Sequence, residues 1–201
     1  LGNSRYQIIP EGTEGIGGDL EPRYTDFDAA SGRITLANGK QAAVQLHTEN
    51  AKEFDAAYAG APGGGIYDQN FQGHYQIQVL DSAEKILTET DFKTDDGQPA
   101  NFSGEFSLQF DDYNRDGNPD FTIGQWFTST NFYYQMYTVL SNGQVKRIDS
   151  GGILNLSHDF SVKFEKDKST GFYAKVYDNS NGTTEQVHYN WNAEKGCFIK
   201  G

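Results

Sequence analysis

Apolar and polar residues alternate along most of this chain. In "HYQIQVLDSAEKILTETDF", residues 74–92, Tyr75, Ile77 and Val79 alternate with Gln76 and Gln78. Asp81–Lys85 then reads as a turn and Ile86–Phe92 as the returning strand. A period of two marks a strand, because successive side chains point to opposite faces. "EFSLQF" repeats the pattern, with Phe106, Leu108 and Phe110 set against Ser107 and Gln109. Asn38-Gly39 and Asn142-Gly143 sit between apolar runs, and Asn-Gly tolerates the positive φ angles of tight hairpin turns. With "FTIGQWF", "FSVKFEKDKSTGFYAKVYDN" and "EQVHYNWNAEKGCFI" added, the pattern predicts about ten to twelve strands joined mostly by short turns. Short turns leave no room for parallel crossovers, so the expected fold class is all-β with antiparallel hairpins. One helix is predicted, over residues 49–59. That stretch is Ala-rich and puts Phe54 and Tyr58 on one face, and "GAPGGG" ends it. Residues 1–31, polar and Gly-rich, read as an irregular N-terminal arm, and 32–201 as a single antiparallel β domain.

Composition narrows this picture. A chain of 201 residues suits one domain with a real core. An aromatic share of 14% argues against intrinsic disorder. A net charge of −12 repels phosphate backbones and anionic lipid, which excludes nucleic acid as a partner. No apolar run approaches the length of about 18 residues needed to span a bilayer. Cys197 is the only cysteine, so no intrachain disulfide can form, and its simplest reading is a buried thiol. The start "LGNSRYQ" reads as a mature fragment whose leader, with any lipid anchor, has been removed.

The chemistry concentrates in "DDYNRDGNPDFTIGQ", residues 111–125. Counted from Asp112, oxygen-bearing side chains fall at positions 1, 3, 5 and 9: Asp112, Asn114, Asp116 and Asp120. Gly117 takes position 6, where a sharp turn needs a permissive backbone, and Asn118 at position 7 can offer its carbonyl. These are the spacings of the opening of an EF-hand calcium loop. Calcium takes six to eight oxygens in flexible geometry, so a short curled loop of carboxylates suits it. Position 12 is Ile123 rather than a bidentate Glu, and the flanks are strands, so this is not a helix-loop-helix EF-hand. The competing reading is a solvated turn without an ion. The four histidines, at 47, 74, 158 and 188, show no ligand spacing for zinc.

The pattern Asp-x-Asn-x-Asp-Gly-x-Pro-Asp followed by "FTIG" resembles the calcium loop of FG-GAP and VCBS-type repeats, with the likeness running from Glu105 to Val145. Such repeats build β-propeller blades in integrin α subunits and in many bacterial surface proteins. The resemblance implies calcium held by Asp112, Asn114, Asp116 and Asp120 through side chains and by Asn118 through its carbonyl. It also implies a propeller-like fold, small or partial, with a β-sandwich as the alternative. Those repeats usually come in series. Here "DNSNG" at 178–182 and "DQNFQG" at 68–73 echo the loop without its full ligand set. Extracellular calcium modules bind with Kd of about 10⁻⁴–10⁻³ M, too weak to fill in a calcium-poor cytosol, so the motif points to an extracellular or cell-surface location.

Other stretches carry less. "SHDF" sets Ser157, His158 and Asp159 side by side, whereas a hydrolytic triad converges from distant positions. "PGGGIY" lacks the Lys-Ser/Thr of a phosphate loop. "WFTSTNFYYQMY" can be an aromatic platform through Phe132, Tyr133, Tyr134 and Tyr137, or a strand that fills a core. The expected function is a non-catalytic, secreted or surface calcium-binding module that recognises a protein or glycan. The alternatives are a carbohydrate-active or cell-wall enzyme with paired carboxylates, and an inhibitor of such an enzyme with a rigid loop near Gly63–Tyr67.

Overall fold

The computed structural model describes residues 23–54, 69–128 and 130–201. Every regular element in them is a strand, which agrees with the all-β expectation. The first sheet is a meander of β1 (Arg23–Thr35), β2 (Gln41–Phe54), β4 (Tyr75–Asp81) and β5 (Ile86–Phe92). Three short strands, β3 (Asn70–Gly73), β6 (Ala100–Phe102) and β7 (Phe106–Ser107), attach to it. The second sheet runs in chain order through β8 (Phe110–Asp111), β9 (Asp120–Trp126), β10 (Asn131–Val139) and β11 (Val145–Leu156). The third does the same through β12 (Glu165–Lys166), β13 (Gly171–Asp178), β14 (Thr183–Asn192) and β15 (Cys197–Lys200). All pairings are antiparallel except a two-residue contact of β1 with β7. Gly39 and Gly143 carry the positive φ angles, 82° and 84°, at the two Asn-Gly tips.

Two cores separate the three sheets. Phe121, Ile123, Tyr137, Val139 and Val145 of the second sheet pack with Ala42, Val44, Leu46, Ile77 and Val79 of the first. From its opposite face, Phe132, Tyr134, Met136, Ile148 and Ile153 pack with Phe172, Ala174, Val187, Tyr189 and Phe198 of the third. The second sheet is therefore a middle layer covered on both sides. That explains the near-continuous run "FYYQMYTV" in β10, because a strand buried on both faces has no polar side to show. Phe160, between β11 and β12, packs against both cores, with its ring 5.1 Å from Phe102 and 5.5 Å from Phe132. Blade-like meanders are present, but no closed propeller or barrel forms among the described residues.

Two expectations are corrected. Residues 49–54 form the end of β2 rather than the start of a helix, while 55–59 lie outside the described residues. Ala51 pairs with Thr25 and is wholly buried, so pairing with β1 on one side and β3 on the other overrides the helix propensity of an Ala-rich stretch. The irregular arm expected to reach residue 31 gives way to β1 from Arg23 onward. Residues 1–22 lie outside the described residues. "EFSLQF" is also split: β7 joins the first sheet and β8 the second, so this stretch carries the chain from one layer to the next. Among the described residues the count of fifteen strands exceeds the pattern's because β3, β6, β7, β8 and β12 are two to four residues long, too short for periodicity to register.

Gly124 in β9 is needed for the middle layer to close. It faces Tyr134 across the pair, and a Cβ there would stand 2.5 Å from the tyrosine ring. Gly124→Ala should therefore cost about 1–3 kcal/mol through overpacking, read as a lower urea midpoint. An unchanged midpoint would mean that the ring moves aside freely.

Candidate metal centre

The acidic loop joins β8 to β9, the first two strands of the middle sheet. Its path needs two left-handed residues, Arg115 (φ 59°) and Gly117 (φ 84°). Gly117 adopts this conformation at no steric cost. Arg115 adopts it despite its Cβ, and its guanidinium donates to the Asp167 carbonyl at 3.2 Å. Asp112 Oδ1 accepts the Asp116 N–H at 3.1 Å, and its Oδ2 accepts the Gly117 N–H at 3.0 Å. Asp116 Oδ1 accepts the Asn118 N–H at 2.8 Å, while Asn114 Nδ2 donates to Asp116 Oδ2 at 3.0 Å. Asp120 Oδ2 accepts the Tyr113 N–H at 2.9 Å.

Four of the five sequence-predicted residues lie in this one loop, and the fifth, Asp120, opens β9 at its end. Asn114 and Asp120 are buried, Asp112 and Asn118 are half-buried, and Asp116 is exposed. The carboxylates of Asp112 and Asp116 turn to backbone amides around the loop. Among the described residues, no three His, Cys, Asp or Glu side chains are gathered closely enough to hold a metal by themselves. An all-oxygen set that includes the Asn114 amide and the Asn118 carbonyl nevertheless suits a hard cation, and it does not suit zinc. The decisive atom is Asp120 Oδ1. Asp120 is fully buried, yet this oxygen has no hydrogen-bond partner. Thr138, directly across in β10, sets its hydroxyl beside the carboxyl and favours its charged form, although neither Asp120 Oδ1 nor Thr138 Oγ1 reaches full hydrogen-bond geometry. A buried carboxylate oxygen left unpaired is costly, and a bound cation removes that cost. On this observation the residues present fit calcium.

The loop is also tied to the third sheet by the segment 160–167. Tyr113, fully buried beneath the loop, accepts the Phe164 N–H on its hydroxyl at 2.9 Å and sets its ring 5.2 Å from Phe172. Thr122 Oγ1 donates to the Val162 carbonyl at 3.1 Å and accepts its N–H at 3.0 Å. Lys163 and Lys166 reach Asp111 at 2.9 and 2.5 Å. Burial pushes the Asp111 carboxyl up, but the bonds from Lys166 and Lys163 outweigh it and hold it at about 2. These lysines, more than Arg115, offset the loop's acidity. No local sequence signal marks them, because they stand some fifty residues away along the chain.

The remaining sequence candidates separate clearly. Phe132, Tyr134 and Tyr137 are core residues, and only Tyr133 is partly exposed. The exposed aromatics of that stretch are its first two, Trp126 and Phe127. Ser157 and Asp159 form a local turn, with the Asp159 N–H on Ser157 Oγ at 3.0 Å, rather than a triad. Cys197 is half-buried rather than fully buried. "PGGGIY", and with it Gly63–Tyr67, lies outside the described residues. No family model matches the chain, and neither the curated proteins nor the solved structures yield a match.

Burial, reinforced by the nearby Asp116 and Asp112 charges, pushes the Asp120 carboxyl up to about 7. A folded pKa raised above the ordinary 3.8 means that the group's contribution to stability is full below about pH 4 and is lost as pH rises to 7. With calcium chelated, the protein should lose up to roughly 4 kcal/mol over that range relative to Asp120→Asn, which cannot titrate. Denaturant unfolding of both proteins at several pH values measures this. Parallel curves would remove Asp120 as the source.

Proposed function

We propose that this chain is a non-catalytic calcium-binding β module of an extracellular or cell-surface protein, serving recognition of a partner molecule. The observation that carries the reading is the unpartnered, fully buried Asp120 Oδ1 within a loop whose donors fall at calcium-loop spacing. The likeness to FG-GAP and VCBS-type loops supports it, and so does the loop's position between the first two strands of a four-stranded meander. Asp112, Asn114, Asp116 and Asp120 would hold the ion through side chains and Asn118 through its carbonyl. When bound, calcium supplies positive charge at the loop's centre. The chain's own residues brace the surroundings, with Tyr113 and Asp111 locking the loop onto the segment 160–167.

The enzymatic alternative has one feature in its favour. Glu105 and Asp159 line the same open cleft. Both are exposed, whereas a general acid working near neutral pH needs burial or a like charge to keep its proton. The binding-module reading is therefore preferred.

Calcium at roughly ten times its Kd should stabilise the fold by about 1.4 kcal/mol. A melting curve with calcium should lie above one with chelator, and calorimetry should record the binding. Asp116→Ala, which alters an exposed ligand, should remove the difference while the chelated protein still melts cooperatively. Identical melting of the wild-type protein in calcium and chelator would sink the metal reading.

A further inference from the structure

Residues 160–163 of the segment that clasps the loop also belong to one wall, Asn155–Lys163, of an open cleft of about 650 Å³. The opposite wall is Ser103–Gln109, which leads directly into β8 and the loop. The two walls are tied by the Gln109 N–H on Ser161 Oγ at 3.0 Å. The cleft is within the roughly 300–1,000 Å³ range of ligand sites. Its lining includes several side chains that can both donate and accept hydrogen bonds: Ser103, Ser107, Gln109, Asn155 and His158. Such a lining matches a surface of hydroxyl groups.

Charge narrows the class further. Glu105 and Asp159 line the cleft, its cationic side chain, Lys163, is paired with Asp111, and the chain has a net charge of −12, all of which disfavours a polyanion. Phe106, Leu156 and Phe160 add apolar surface to the lining. Trp126, 43% exposed, pairs with Phe132, which pairs with Asn155, so all three stand on one face of the middle sheet. The Phe132 ring lies 6.0 Å from His158, and Leu156 on the cleft wall is 39% exposed. A pyranose ring presents hydroxyls at its edge and C–H groups on its face, so it needs both kinds of surface. A protein partner would instead favour a broad patch with an apolar centre.

We infer that the cleft between Ser103–Gln109 and Asn155–Lys163 binds a neutral carbohydrate chain, and that cation binding in the adjacent loop fixes the wall on which it docks. The inference rests on the calcium-module reading and names its ligand class. Occupancy reaches the cleft through Asp111, which pairs with the cleft residue Lys163, and through Thr122, which is bonded to Val162.

Affinity electrophoresis of the full chain through gels containing a soluble β-glucan, xylan or mannan tests this. In calcium, at least one polysaccharide should retard the protein. Gln109→Ala and His158→Ala, both at exposed positions, should each weaken the retention about tenfold while leaving the melting temperature unchanged. Chelator should weaken it as well. No retardation by any of the three in calcium overturns the carbohydrate assignment in favour of a protein ligand. Retardation untouched by both substitutions overturns the location, and retardation equal with and without chelator overturns the coupling. Calcium calorimetry on the same sample separates the two readings. Calcium bound without polysaccharide retention defeats only the present inference, whereas no calcium binding defeats the module reading beneath it.

Discussion

Burial of the middle sheet on both faces is the constraint on which the rest of this structure depends. A sheet covered on one side can turn its polar residues outward, but the second sheet has no outward face over most of β9 and β10. Its polar residues must find partners inside, and apart from Asp120 Oδ1 and Thr138 Oγ1 several do so through the flanking segments. Gln135 donates to the Lys93 carbonyl and to Asp95, Tyr133 bonds Asp95, and Thr122 exchanges bonds with Val162. Each of these links reaches into a flanking layer, so the polar groups of the middle sheet act as stitches between sheets.

The loop inherits this position. Asp120 opens β9, so it enters the buried layer as soon as the loop ends, and it has no exposure at all. A carboxylate at the mouth of an ordinary surface hairpin would be solvated. Here one oxygen is held by the Tyr113 amide and the other has no partner, so the packing that stabilises the middle sheet also leaves a buried carboxyl oxygen unpaired. Core packing and the unpaired oxygen are in this sense one arrangement, because the same burial produces both.

The segment 160–167 links these parts. Phe160 joins both cores, Val162 and Phe164 bond β9 and Tyr113, and Lys163 and Lys166 neutralise Asp111. The loop and the cleft wall are thus joined through one and the same segment.

The sequence by itself determined the element type, the antiparallel sense and the composition of the loop. Alternation and Asn-Gly turns are local properties, readable within a few residues of one another, and the spacing of the loop's oxygen-bearing side chains is local too. The stretch over 49–54 misled because helix propensity is also local, while its strand identity comes from β1, some twenty-five residues earlier in the chain. Only the tertiary structure decided that the second sheet is the middle layer. It also decided that Phe132, Tyr134 and Tyr137 fill cores while Trp126 stays exposed, and that Lys163 and Lys166 balance the loop. These outcomes depend on which faces meet. A strand's sequence states that it has two faces, but what covers each of them is settled by partners distant in the chain.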